Sequence, residues 1–418
     1  MKFFVLNSKN IERDSFLWNM IGGMLDAFQS VILLMVLTRT IGLVASGIFT
    51  IAYANANLFL NIGKYGMRNY QVSDVREQFS FREYLYSRWI TTFAMIIVSV
   101  AYVIYMAQTR DYSFEKSQCI IWMCLYKVSD SMEDVYHGEY QKSGRLDVAA
   151  KAKTIRMIST IVLFAVALIV SKNLLVSLVI TTCVTTVIAI VFIVWTYPTF
   201  RKKETYNFKK IGLLLWNCFP VFAGAFLSFY IGNAPKYAID AQLSDELQAC
   251  YGFIAMPVFI IGLLNGFILN PMLYKMSCLW SEQKKKAFIE KTVLLSLTVL
   301  VITVVCIAGA YICGIPVLSW LYNTDLSPYK MELLILLVGG GFLGLSGVLN
   351  AVLTIIRCQN ALLVGYAMVA VLAFFMSDSF VQRYGMMGAS VLYAGLMAIL
   401  CVIFIVAFVI GITFKKKS

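Results

Sequence analysis

LLWNCFPVFAGAFLSFYIGNAPKYAID, residues 214–240, is a long apolar run that closes in polar residues and a lysine, and it repeats an earlier one. At an offset of 198 residues, Leu215, Trp216, Asn217, Ala225, Phe226 and Ser228 restate Leu17, Trp18, Asn19, Ala27, Phe28 and Ser30. Each copy meets its polar loop at a basic residue, Arg39 in the first and Lys236 in the second. The offset is close to half of the 418 residues, where a chain built from two related halves places its second copy. The copies differ at one place that matters: Gly224 stands where Asp26 stands, so the frame is kept and the charge symmetry is broken.

Such runs fill the chain. With mean hydropathy +0.78, 60% hydrophobic and 14% charged residues, it has more apolar side chain than one core could hide, and the bilayer is its solvent. A helix needs about 20 mainly apolar residues to cross the hydrocarbon layer. Twelve spans are expected on that measure: 15–37, 44–63, 88–107, 117–136, 154–171, 174–196, 211–232, 247–271, 289–312, 331–356, 361–377 and 386–411. Lipid leaves no water for loose backbone groups, so the runs read as helices and the fold as all-α. The expected organisation is a six-helix bundle over 1–200, a cytoplasmic linker over 201–210 (RKKETYNFKK) and a second six-helix bundle over 211–418.

The net charge of +13 raises nucleic acid as a partner, but its distribution argues otherwise. Alternate loops, with both termini on one side, carry 27 of the 35 basic residues on that side and 7 on the other, Lys127 lying inside a span. Basic loops stay on the cytoplasmic side, so both termini are expected there. The excess charge then marks topology, with attraction to anionic membrane lipids as a by-product, and no nucleic acid is implied. The ten cysteines show no ligand spacing, so neither a metal site, a cofactor nor a disulfide framework is expected. The start, MKFFVLNSKNIERDSF, reads as retained rather than as a cleaved signal peptide.

Polar residues inside spans carry the functional signal. In the first span Asn19, Gly22, Gly23, Asp26, Gln29 and Ser30 fall within about 120° of one another at 100° per residue. The second span has Thr50, Tyr53, Asn57, Asn61 and Lys64 on one side, and two such stripes suggest a shared wet cavity. Asp26 is the member that helix packing alone does not account for, because an ionisable group near midplane costs several kcal/mol unless paired or hydrated. The fourth span is the least hydrophobic: Lys127, Asp130, Asp134 and His137 share an arc of about 80°. It reads either as a cavity wall or as a Lys127–Asp130 ion pair at i, i+3 that locks the helix to its neighbours. His137, the only histidine, reads as interfacial. Spans five and six look like lipid-facing scaffold. Pro235 is expected to end the seventh span and Pro257 to kink the eighth, with GIPVLSWLYNTDLSPYK (314–330) as the longest outer loop. The glycines of GGGFLGLSG, 339–347, are expected to bring helices into close contact.

Two six-span halves, together with YIGNAPKYAID from Tyr230 and LTRTIG from Leu37, resemble the polysaccharide transporter group of the MOP superfamily. That superfamily also holds the multidrug extrusion (MATE) proteins and the longer lipid II flippases, whose extra helices find no room here. The resemblance implies a Wzx-like flippase carrying a polyprenyl-diphosphate-linked oligosaccharide to the outer leaflet of the cell membrane for capsule, O-antigen or wall polysaccharide. Glycosyltransferases and a polymerase are its implied partners. It implies cationic cavity residues, carried over loosely to Arg39, Lys64, Lys127 and Lys236, with Asn57 and Asn61 for sugar hydroxyls. Asp26, Asp130 and Asp134 then form a charge or coupling network.

The alternative is a cation-coupled exporter of the MATE type, with the same aspartates binding protons or sodium. Residues 64–88 lack the G-x-x-x-D-R-x-G-R-R signature of major-facilitator transporters, and the chain lacks a Walker A sequence, so no ATP use is implied. A glycosyltransferase or polymerase is the third possibility. Such enzymes need a sizeable outer domain with catalytic acids, and no pair among Asp111, Asp240, Asp245, Glu246 and Asp325 has spacing that argues for acid and base roles.

Overall fold

The computed structural model describes residues 2–74, 76–201 and 207–414. Residues 202–206 of the expected linker and the terminal lysine cluster 415–418 lie outside the described residues. Fourteen α-helices are found among the described residues: α1 (Lys2–Leu6), α2 (Ile11–Thr40), α3 (Leu43–Lys64), α4 (Met67–Ser73), α5 (Phe81–Thr109), α6 (Phe114–Lys142), α7 (Leu146–Ser171), α8 (Leu174–Thr196), α9 (Lys209–Gln242), α10 (Asp245–Ser281), α11 (Lys285–Gly309), α12 (Ile315–Tyr322), α13 (Lys330–Ile355) and α14 (Gln359–Phe414). Their starts are capped by local chemistry. The Asn10 carboxamide accepts from the Arg13 amide at 3.0 Å, and Ser80 and Glu83 form a reciprocal capping box at the head of α5.

Among the described residues ten helical segments are long and apolar enough to cross a membrane, and the chain is a multi-pass membrane protein. α6 is not one of the ten, because Lys127, Asp130, Glu133 and Asp134 interrupt its apolar residues. One of the ten, Gln359–Thr413, holds a break at Gly385, whose φ of 57° suits glycine and few other residues. The helices bury their polar faces and turn apolar ones outward, the reverse of a soluble bundle. On α5, Ser87, Arg88, Thr91, Thr92 and Ser99 are buried while Trp89, Phe93 and Ile97 are exposed, as a lipid solvent requires.

The chain divides into two compact units, 1–226 and 227–418. The division falls within α9, beyond the expected 201–210 linker, because the first half of α9 packs with the first unit. Leu214 and Cys218 share a core with Met67, Phe79, Phe81, Tyr84 and Val135, and Phe222 stacks on Tyr65 at 4.4 Å. Within this first unit α6 packs against α3, α5, α7 and α8, which is why it tolerates charge: it meets helices where the others meet lipid.

In the second unit α13 takes the central place, packed against α10, α11 and α14, and its glycines make this possible. A β-carbon at Gly339 would lie 2.6 Å from the Tyr393 ring and 3.0 Å from the Ala394 Cα, and one at Gly341 would lie 2.6 Å from Thr303. Two expectations are corrected. Pro235 does not end its span: α9 runs on to Gln242, since one missing backbone donor is tolerated inside a membrane helix. Residues 315–322 are helical rather than looped, following a π turn at Ala310–Gly314.

Candidate functional site

The charges of α6 are brought to one side by their spacing. Lys127, Asp130, Glu133, Asp134 and His137 line a cavity of about 140 Å³ in the first unit. Asp26 of α2, Asn57 and Lys64 of α3, Arg68 of α4, and Lys153 and Arg156 of α7 complete its polar wall. Five basic and four acidic side chains therefore share one small space.

Each of these carboxylates has a cation. Arg156, buried on α7, holds Asp130 through Nη2 and places Nε 2.8 Å from Glu133 Oε2. Lys127 Nζ lies 2.9 Å from Asp130 Oδ2, the i, i+3 pair expected from the sequence. Arg88 donates to Asp134 at 2.8 Å and to the Gly63 carbonyl at 2.7 Å, and Arg68 stands 3.6 Å from the same aspartate. Lys153 Nζ donates to Asp26 at 2.6 Å. Buried charges persist only when paired and hydrogen-bonded in this way. Lys64 has no carboxylate within ion-pair distance among the described residues.

Below the cavity the wall becomes aromatic. Lys127 Nζ sits 5.1 Å and 5.2 Å from the Tyr53 and Tyr126 ring centroids, a cation–π arrangement that favours the charged amine. Tyr126 in turn receives a 2.7 Å hydrogen bond from Gln29 of the first polar stripe. At the N-terminal end of α7, Lys151 donates to Ser8 at 2.8 Å and to Asp14 at 3.1 Å, tying the start of the chain to this helix. Arg145, in the turn before α7, is raised above its ordinary pKa by its hydrogen bonds to Asp147.

Of the residues singled out from sequence, Asp26, Asn57, Lys64, Lys127, Asp130 and Asp134 meet at this cavity. Asn61 is not among the lining residues; its amide donates to the Asn57 carbonyl at 2.9 Å. Arg39 is exposed at the end of α2, and Lys236 lies on the part of α9 that belongs to the second unit. His137 is buried in the cavity wall, where an interfacial position was expected. Sequence reasoning missed Arg68, Glu133, Lys153 and Arg156. The last two were legible as an i, i+3 basic pair at the edge of the expected span 154–171; α7 begins at Leu146, eight residues earlier, and so places Lys153 on the same helix as Arg156.

Charged side chains from five helices thus surround one cavity inside a body of apolar helices. Solved structures share this fold. An inward-facing multidrug resistance MATE transporter of the MOP superfamily aligns with TM-score 0.68 at 13% identity, covering 96% of this chain and 97% of that one. The lipid II flippase MurJ in an inward closed conformation gives 0.67 at 14%, covering 98% and 93%, so the length expected to set that branch apart is nearly matched. A MOP superfamily transporter from Pyrococcus furiosus, described as having a binding pocket of reverse polarity, gives 0.55 at 14%, covering 97% and 96%. No family model and no curated protein matches the sequence. At these identities the likeness establishes the fold: that of the MOP superfamily transporters.

Proposed function

We propose that this chain is a flippase that carries a polyprenyl-diphosphate-linked oligosaccharide across the cell membrane, by alternating access, for assembly of a surface polysaccharide. The observation that carries this reading is the charge state of the cavity. Its four carboxylates all face cations, while Lys64 has no carboxylate within ion-pair distance among the described residues, so the free charge offered to a ligand is positive. Lysine and arginine bind phosphate oxygens through charge-assisted hydrogen bonds. A volume of about 140 Å³ suits a diphosphate group better than a glycan. In this reading the lipid tail stays in the bilayer. The polypeptide counts as twelve crossings in two six-helix halves, with α6 and both sides of the Gly385 break included and both termini cytoplasmic. Glycosyltransferases supply the substrate and a polymerase consumes it.

The shared fold keeps a cation-coupled exporter in view, and the same charge count weighs against it, because no cavity carboxylate is left for a cationic drug. Reconstituted vesicles separate the two. The protein should move a fluorescent polyprenyl-diphosphate sugar between leaflets and leave ethidium gradients unchanged, and Lys64→Glu should abolish the movement. Ethidium efflux without lipid movement would overturn the proposal.

A further inference from the structure

The cavity's carboxylates are held with unequal firmness. Asp130 and Glu133 lie against Arg156, and Asp134 against Arg88, both arginines no more than 1% exposed. Asp26 and Lys153 are different: they meet at 2.6 Å with side chains 44% and 32% exposed. A solvated pair of this kind holds weakly and exchanges readily with other ions. Among the described residues Lys64 beside it has no carboxylate within ion-pair distance, and Arg68 donates to Gln141 at 2.9 Å but meets Asp134 only at 3.6 Å.

We propose that Asp26 is an internal stand-in for the substrate's oxyanion. A phosphate-type group enters among Lys64, Arg68 and Lys153, takes Lys153 from Asp26, and so opens one of two ionic clamps between α2 and α7. The proposal rests on the lipid-linked diphosphate reading of the same cavity. The other clamp, Asp14 with Lys151 at 3.1 Å, involves a lysine only 2% exposed and stays closed. Between the clamps the helices touch closely: a β-carbon at Gly22 would lie 2.7 Å from Thr154 Oγ1, which donates to the Trp18 carbonyl at 3.3 Å. Asp14 and Asp26 are about 18 Å apart along α2 at 1.5 Å per residue, so one end of this seam is released while the other is kept. The incoming anion adds its own negative charge, which Lys64, Arg68 and Lys153 offset, while the released Asp26 carboxylate, 44% exposed, turns to water.

Binding of inorganic pyrophosphate to the full-length protein in phosphatidylcholine nanodiscs tests this by titration calorimetry. Asp26→Asn removes the competitor and should tighten binding about tenfold. Lys153→Gln should weaken it by about as much, and in that background Asp26→Asn should have no further effect, the non-additivity that marks a shared partner. Asp26→Ser serves if the asparagine variant fails to fold, with melting curves as the check. An unchanged or weakened affinity in the Asp26 variants overturns the exchange. Nanodiscs containing phosphatidylglycerol distinguish the source: competition that Asp26→Asn strengthens upholds the exchange and assigns it to a lipid headgroup. If the substitution pattern holds while vesicles move no polyprenyl diphosphate, the transport reading falls and the exchange stands. If transport holds and Asp26→Asn leaves pyrophosphate binding untouched, the exchange falls alone.

Discussion

α6 and α13 are the fourth long helices of their halves, and each packs against several neighbours within its unit, yet they accommodate them by opposite means. α6 is surrounded by ion pairs: Lys127, Glu133 and Asp134 are buried on it, facing Arg88 and Arg156. α13 is surrounded by close backbone contact through Gly339, Gly340, Gly341 and Gly344. Among the described residues, Glu332 is the one charged side chain buried in the second unit. The two related copies at 214–240 and its partner already carry this asymmetry in miniature, with Asp26 opposite Gly224. Helix order alone does not say whether such a helix has charged or dry surroundings; its side chains decide that.

Arg88 is the side chain on which the charged surroundings of α6 depend most. Arg88→Ala leaves Asp134 only the more distant Arg68 and the Gly63 carbonyl only Thr91, and thermal or denaturant unfolding in detergent should show a loss of about 3–5 kcal/mol. Replacing both charges, as Arg88→Met with Asp134→Leu, should cost clearly less than the single change. If the two variants are equally unstable, charge pairing is not what holds α6. In the other unit, Gly339→Val drives a branched side chain onto Tyr393 and the Ala394 backbone, and the same assay should record about 1–3 kcal/mol of destabilisation. A neutral result there would mean that α13 has slack and that glycine is not required by contact. The exposed Asp26–Lys153 pair should give the smallest effect, with Asp26→Asn changing unfolding by no more than about 1 kcal/mol. A loss as large as that of Arg88→Ala would place this pair with the structural ones and remove its freedom to exchange.

The helical, membrane-spanning character and the polar face of α6 were readable because both are periodic: apolar length reports the spans, and a 100° step gathers Lys127, Asp130, Asp134 and His137. The local i, i+3 pair followed from the same arithmetic. What periodicity does not hold is which distant cation meets which carboxylate. Lys153 comes from the first turns of a helix whose later turns are so apolar that its start looked like loop, and Arg156 and Arg88 sit at the edges of their expected spans. Pro235 misled because proline is a stronger stop in water than inside a membrane bundle. Arg39 and Lys236, chosen as matching ends of the repeat, fall away from the cavity and in the other unit, since sequence symmetry does not oblige two positions to share a site.

The same arginine that quiets Asp130 and Glu133 has a bearing on biogenesis. Each acidic or basic residue at the centre of a nascent helix opposes entry into lipid by about 2.5–3.5 kcal/mol, so α6 has no reason to leave the translocon on its own. Its neutralising partner Arg156 is synthesised later, in α7, so a chain truncated at 142 should expose α6 to water where a chain truncated at 171 retains it, a difference that glycosylation mapping of truncated chains reads directly.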